Sequence, residues 1–210
     1  SLACGRRPRP ICHRAPMVAW RARLNTHGCG NIFFHGRCSR VVLLFEAFPD
    51  GNCNISLFGA GHVGRALVKI LEDLPYHVTW IDNRQSEFPE RVNTNIRKVF
   101  SDDVKGCISS RSSGEFYIIM THQHALDFEI LEAILKRNDA KYVGLIGSQT
   151  KWRQFKSRFQ HKGYEAEFYK SVNCPVGFEA LSGKRPMEVA VSIAAQIMMI
   201  HSKSSTLRAR

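Results

Sequence analysis

From Asn54 onward, short runs of apolar residues alternate with stretches in which apolar residues recur every three or four positions. The short runs are typical of strands buried in a parallel sheet, and the longer spacing is typical of helices that bury one face. The predicted strands are Ile55–Phe58, Tyr76–Ile81, Ile96–Phe100, Phe116–Met120 and Tyr142–Ile146. Because strands and helices alternate, the pattern predicts an α/β domain built on a doubly wound parallel sheet.

The helical spacing predicts four helices in the same part of the chain. Two of them follow the first and the fourth predicted strand. A third is predicted to begin after Gly147-Ser148, and the last to begin at Pro186 and end near His201, before a polar tail at 202–210. In the third helix we expect aromatic residues to be buried and basic residues to face solvent. The aromatic residues are Trp152, Phe155 and Phe159, and the basic ones are Lys151, Arg153, Lys156 and Arg158.

The first 45 residues lack both periods and are rich in arginine, proline and cysteine. They are predicted to form a basic N-terminal segment of irregular structure. The turn signal Pro49-Asp50-Gly51 separates this segment from a domain predicted over residues 46–201. The chain has a net charge of +12, and residues 1–40 contain eight arginines and no acidic residue. The charge therefore gives little support for a nucleic-acid interface on the folded domain.

The seven cysteines show no paired spacing, and no signal-peptide pattern is present, which together predict a reduced, cytoplasmic protein. Cys174, in the loop before the last helix, is interpreted as a small buried residue rather than a group for sulfur chemistry. The longest apolar stretches are Val41–Phe45 and Val189–Ile200. They are too short or too interrupted to cross a bilayer, which takes about 20 apolar residues.

The segment Gly59-Ala60-Gly61-His62-Val63-Gly64 lies between a predicted strand and a predicted helix. Three glycines alone are a weak signal, but the stretch from Asn54 to Asp82 spans 29 residues, the length of a strand–helix–strand unit. Gly59 would permit a tight turn, Gly61 would let a phosphate approach the backbone, and Gly64 would let the helix pack on the strand. The N–H groups of His62 to Gly64 would then donate to the phosphates. This predicts a Rossmann-like dinucleotide site, and the alternative is a glycine-rich turn without a ligand.

Asp82 closes the second strand of this unit, 21 residues beyond Gly61. An acid at this place typically accepts hydrogen bonds from a ribose diol and repels a 2′-phosphate, so we expect NAD to be favoured over NADP. Arg84 keeps NADP open as the alternative. If no nucleotide binds, Asp82 is a turn-forming acid in Asp82-Asn83-Arg84.

Two further segments follow predicted strands directly and should lie at the carboxyl edge of the sheet, where open α/β folds bind ligands. Thr121 and His122 follow one strand, and Gly147 and Ser148 follow the next. We expect all four residues to line the ligand crevice. The alternatives are a helix cap at Thr121 with solvent-facing histidines, and a plain strand-to-helix turn at Gly147-Ser148. No Cys, Asp or Glu lies at a recognisable partner spacing to the histidines, so no metal site is predicted.

Five segments of the chain follow one another in a distinctive order and spacing. They are LFGAGHVGRALVKIL, HVTWIDNR, MTHQHALD, YVGLIGSQTKWRQF and NCPVGFEALSGKRPMEVAVSIAAQIM. Together they resemble the C-terminal domain of the xanthine dehydrogenase accessory protein (XdhC/CoxF) family, over residues 52–200. The parts THQHALD, YVGLIGS and GKRPMEVAVSIAA are more specific than the glycine pattern.

The resemblance implies a maturation factor that binds the molybdenum cofactor (molybdopterin), protects it, supports its sulfuration by a cysteine desulfurase and delivers it to xanthine dehydrogenase. It also implies a cytoplasmic homodimer, and no catalytic residues are assigned. Members of the family carry a separate N-terminal domain with a cysteine-containing, glycine-rich motif. Residues 1–45 contain at most a fragment similar to that motif, near Cys4-Gly5, so the resemblance implies that they are either a remnant of that domain or unrelated to it.

Two other functions remain open from the residues themselves. The first is an NAD(P)-dependent oxidoreductase, with His122 or His124 as acid or base near the nicotinamide. The second is a nucleotide-binding protein that regulates a partner. The phosphate of molybdopterin and the pyrophosphate of NAD would suit the same helix N-terminus, so the glycine turn alone does not choose between these ligands.

Overall fold

The computed structural model describes residues 32–37, 40–45, 53–181 and 183–206, and the chain divides into two compact units, Ser1–Asp50 and Gly51–Arg210. In the first unit, strand β1 (Ile32–Arg37) pairs antiparallel with strand β2 (Arg40–Phe45). Periodicity did not predict this pair, because the runs IFFHGR and RVVLLF are too short and too continuous to show a period of two. The fragment at Cys4-Gly5 lies outside the described residues.

The second unit is built around a sheet of six parallel strands. The strands are β3 (Cys53–Phe58), β4 (Tyr76–Asp82), β5 (Ile96–Phe100), β6 (Phe116–Ile119), β7 (Tyr142–Leu145) and β8 (Val172–Asn173). Their order across the sheet is β5-β4-β3-β6-β7-β8. The chain therefore winds outward from β3 in one direction and then from β6 in the other, which confirms the Rossmann-like, doubly wound fold.

Six helices connect and cover these strands. They are α1 (His62–Leu71), α2 (Val104–Ser109), α3 (His124–Arg137), α4 (Gln149–His161), α5 (Ala166–Tyr169) and α6 (Pro186–Thr206). The four long helices are those that the spacing predicted, whereas α2, α5 and β8 are too short to show a period. Helix α6 continues beyond the predicted end at His201, because no glycine or proline follows to stop it. Within the described part of the chain, no helix is long and apolar enough to cross a membrane.

The central strands send alternate side chains into two separate cores. Leu57 and Trp80 pack with residues of α1 and α6, whereas Phe58 and Ile81 pack with residues of α3 and α4. All four side chains are buried. Burying a large apolar side chain contributes about 1.5–3 kcal/mol, so the covered faces hold the sheet and its helices in one arrangement.

The carboxyl end of β3 lies between those of β4 and β6. Phe58, the last residue of β3, is in register with Ile81 on one side and Ile119 on the other. The residues that follow these three positions therefore emerge at one edge, at the point where the strand order reverses. This is the place where open α/β sheets bind their ligands.

Candidate functional site

The glycine turn begins where the backbone at Gly59 is in close contact with the backbone at Met120 and at Gly64. Gly59 has a φ of +115°, and a Cβ built on it would lie 2.3 Å from the carbonyl oxygen of Met120. A Cβ built on Gly64, in the first turn of α1, would lie 2.2 Å from the carbonyl oxygen of Gly59. Both distances are far below van der Waals contact, so these two positions require glycine for packing.

Gly61 differs from the other two glycines because it faces open space. A Cβ built on it would meet no atom within 4 Å. Gly61 is also the N-cap of α1 and provides no side-chain cap. The N–H groups of His62, Val63 and Gly64 precede the first intrahelical bond, so they have no acceptor within the helix and lie at the positive end of its dipole. This arrangement suits an anion such as a phosphate.

Asp82 lies at the end of β4 with only 2% of its side chain exposed. Its Oδ2 accepts hydrogen bonds from the N–H of Ala60 at 2.6 Å and from Arg84 Nη2 at 2.9 Å. Its Oδ1 accepts from the backbone N–H of Arg84 at 2.9 Å and from Arg84 Nε at 3.0 Å. Burial by itself raises the pKa of Asp82, but the hydrogen bonds from Arg84 and Ala60 outweigh it and lower the pKa below its ordinary value. Asp82 is therefore an ionised carboxylate that ties the glycine turn to Arg84.

Two arginines and one glutamate surround the outer side of the turn. Arg65, in the first turn of α1, donates from Nη2 to Glu87 Oε2 at 2.5 Å and from Nε to the Glu87 carbonyl at 2.8 Å. Arg84 Nη1 lies 3.6 Å from Glu87 Oε1. Glu87 belongs to a short 3-10 turn, Gln85–Glu87. Both guanidinium groups are partly exposed, so they present positive charge at the rim of the site.

A narrow cavity of about 30 Å³ lies beside the turn, at the carboxyl ends of the central strands. Asp82, Thr121 and His122 line it, as the sequence predicted for a shared crevice, together with apolar side chains such as Ile81 and Leu126. A cavity of this size holds only about two or three water molecules. A nucleotide base could enter it only if the side chains around it moved apart.

Thr121 and Asp127 form a buried network that spacing did not predict. Asp127, on α3, is fully buried and accepts hydrogen bonds from the Thr121 hydroxyl at 2.7 Å and the Thr121 N–H at 3.0 Å. Its other oxygen is 2.5 Å from Lys151 Nζ, which also donates to the carbonyl of Ile146 at 2.8 Å. The prediction that Lys151 faces solvent is therefore wrong, because this side chain turns inward to neutralise Asp127. The alternative of a helix cap at Thr121 is also wrong, since Gln123 is the N-cap of α3.

Gly147 and Ser148 follow β7 as predicted, but they contact α4 rather than the cavity lining. The Ser148 hydroxyl accepts a hydrogen bond from the N–H of Lys151 at 3.2 Å and thereby caps α4. A Cβ on Gly147 would lie 2.6 Å from Cδ of Lys151. The two residues thus shape the turn that brings Lys151 to Asp127.

The histidines and Cys174 give no sign of metal or thiolate chemistry. His122 and His124 are solvent-exposed, and the described residues contain no group of three His, Cys, Asp or Glu side chains that could hold a metal ion. Burial raises the pKa of the Cys174 thiol to about 11, although the positive charge of Lys151 opposes the change. A thiol with such a pKa stays protonated at neutral pH, and Cys174 is partly rather than fully buried.

Comparison with known proteins identifies relatives of this domain. A family model described as the XdhC Rossmann domain matches residues 55–197. A crystal structure from Bacillus halodurans, named as a xanthine dehydrogenase, has a TM-score of 0.60 and 23% sequence identity, over 72% of this chain and 43% of that chain. This chain thus spans less than half the length of that protein.

Two other solved structures are more distant, and the curated proteins give no match. A Rossmann-fold NAD(P)-binding family protein from Shigella flexneri has a TM-score of 0.39 and 16% identity, over 54% of this chain and 64% of that one. Homoserine dehydrogenase from S. aureus has a TM-score of 0.39 and 17% identity, over 53% of this chain and 31% of that one.

The contacts of the glycines predict unequal losses of stability when one methyl group is added. Gly64→Ala should lower the free energy of unfolding by about 2 kcal/mol or more, because the methyl group cannot fit against the Gly59 carbonyl. Gly61→Ala should change it by less than about 1 kcal/mol, since only the N-cap preference is affected. Urea denaturation of both variants measures the difference. Equal losses would show that the two glycines do not differ as described.

The buried ion pair predicts strong coupling between Lys151 and Asp127. Lys151→Met should lower the free energy of unfolding by about 3–5 kcal/mol, because it leaves a buried carboxylate without its cation. Adding Asp127→Asn to that variant should restore part of the loss, since the amide oxygen still accepts from Thr121. Arg153→Met, on the exposed side of the same helix, is the matched control and should stay within about 0.5 kcal/mol of the parent. A double variant as unstable as the sum of its single changes would contradict the pairing.

Proposed function

The chain belongs to the family defined by the XdhC Rossmann domain, and from this membership we propose that it is an accessory protein of a xanthine dehydrogenase-type molybdenum hydroxylase. The observation that carries the proposal is the glycine turn. The turn leaves the N-terminus of α1 without a side-chain cap at the point where the strand order of the sheet reverses, and a phosphate-bearing ligand can bind there. In this proposal the domain holds such a ligand while its outer surface meets the target enzyme.

The residues of the turn fit the phosphate end of the molybdenum cofactor. The phosphate would accept hydrogen bonds from the N–H groups of His62, Val63 and Gly64, in the space that Gly61 leaves free. Arg65 and Arg84 lie at the rim and supply positive charge. When bound to the target enzyme, the cofactor supplies the redox chemistry of substrate hydroxylation. The part of this chain is to bind the phosphate and orient the ligand.

The proposal extends to the partners that the family resemblance implied. A carrier of the cofactor would meet a cysteine desulfurase, which provides the sulfur for sulfuration, and then the apo-hydroxylase that receives the loaded cofactor. We propose that it acts as a homodimer in the cytoplasm. The family resemblance supports these features.

Hydride transfer is the second candidate function. His122 lines the same cavity as Asp82, which would place an imidazole near a dinucleotide bound along the strand ends. Oxidation of NADPH or NADH by a panel of carbonyl compounds, at a rate that His122→Gln abolishes, would favour this enzyme over an accessory protein.

Gly61→Asp should abolish ligand binding, because a carboxylate at the helix N-terminus occupies the space and repels the phosphate. Calorimetry of the full chain with NAD, NADP and molybdenum cofactor released from a molybdoenzyme tests this directly. Ser113→Asp adds the same charge to an exposed loop at the other end of β6, and it should bind like the parent. Equal binding by the Gly61 variant and the parent would exclude the turn from the function.

The same three proteins test the accessory role. Apo-hydroxylase supplied with free cofactor should regain activity severalfold faster with the parent chain or Ser113→Asp than with Gly61→Asp. Reactivation at one rate with and without the chain would contradict the accessory function.

A further inference from the structure

Asp82, the acid predicted to bind the ribose of a dinucleotide, already accepts hydrogen bonds from the protein at all of its acceptor positions. A carboxylate offers about four positions at which it can accept hydrogen bonds. In Asp82 all four are used, one by the N–H of Ala60 and three by groups of Arg84, at distances from 2.6 to 3.0 Å. Asp82 has no free lone pair with which to receive a ribose diol, and its exposed fraction of 2% leaves no surface for one.

Arg84 is the member of this pair that reaches the surface. Its side chain is 31% exposed. Two of its five side-chain N–H groups, on Nε and Nη2, are directed to Asp82, and Nη1 lies 3.6 Å from Glu87, beyond a good hydrogen-bond distance. Arg84 can therefore stay on Asp82 and still donate from Nη1 to a second anion. The two bonds to Asp82 hold the guanidinium in place, which reduces the entropy lost when an anion binds.

The charge pattern at this position differs from the one that selects NAD, because no free acid is present. A free acid at the end of the second strand repels a 2′-phosphate, whereas a nearby arginine accommodates it. Here the carboxylate of Asp82 is buried in a neutral ion pair with Arg84, and Arg84 is the partner whose side chain is partly exposed. Arg65 adds a second partly exposed guanidinium, 44% exposed, on the other side of Glu87. Two acidic groups oppose an extra phosphate here. Glu87, 32% exposed, lies between the two guanidinium groups, and Asp102 lines the cavity from the loop after β5.

We propose that the site takes an adenine dinucleotide with a phosphate on the 2′ position of its ribose, and that Arg84 is the residue that selects it. This inference rests on the part of the proposed function that places a phosphate-bearing ligand on the glycine turn. It differs from the expectation from Asp82 alone, which favoured the ligand without the 2′-phosphate. The selection comes from a side chain two residues beyond the acid.

Calorimetry of the full chain with NADPH and NADH tests the proposal, because these probes differ only by the 2′-phosphate. The parent should bind NADPH at least about tenfold more tightly, and the ratio should fall as salt rises, since screening weakens the contact of Arg84 with the phosphate. Arg84→Gln should bring the ratio to about one or reverse it, because the freed Asp82 then accepts from the diol and repels the phosphate. Arg97→Gln, on the exposed edge strand β5, should keep the parental ratio.

The outcomes separate this inference from the function on which it rests. If the parent binds NADH as tightly as NADPH, or more tightly, selection by Arg84 is overturned, whereas the phosphate site is not affected. An unchanged ratio of the two affinities in Arg84→Gln would have the same consequence. Binding of the molybdenum cofactor without either dinucleotide would also overturn the inference alone. If none of the three probes binds, both proposals fail. The ratio measured on the parent needs no variant, so the test holds even if Arg84→Gln folds poorly.

Discussion

The site depends on the close approach of three backbone segments at the end of β3. The carbonyl of Met120 and the carbonyl of Gly59 each fill the space that a Cβ would need, so residues 59 and 64 can only be glycine. Buried hydrogen bonds hold this arrangement from the β4 side. Trp80 Nε1 donates to the Gly59 carbonyl at 2.9 Å, and Asp82 accepts from the Ala60 N–H. The open helix tip at Gly61 follows from these contacts, because they fix the angle at which α1 leaves the sheet.

Much of this arrangement could be predicted from the order of residue types. The strand runs are continuous because both faces of the sheet are covered, and the glycines mark the one junction where side chains have no room. Asp82, Thr121 and His122 were placed in one crevice because each follows a strand of a parallel sheet, and they do line one cavity. The short elements α2, α5 and β8 were missed, since tertiary packing rather than local pattern forms them.

The partners of the charged residues could not be predicted in the same way. Lys151 looks like one of several basic residues around a helix, and only the fold shows that it alone turns toward Asp127. The sequence carried a hint, because Asp127 lies three and four positions before Ile130 and Leu131 on α3, and an acid within a buried stripe needs a partner. Asp82 ends β4 as the pattern predicted, but what it can bind depends on Arg84. The spacing of residues in the sequence locates the acid at the end of the strand, whereas its hydrogen bonds in the fold decide whether it is free to bind a ligand.

The central claim is that main-chain N–H groups at the tip of α1 receive a phosphate group. NMR spectra of the ¹⁵N-labelled chain, titrated with NADPH, observe those groups one by one. The account predicts that the largest changes occur at the amides of Gly61, His62, Val63 and Gly64, in step with saturation. Binding that leaves these amides unchanged, while amides elsewhere in the chain shift, would contradict it.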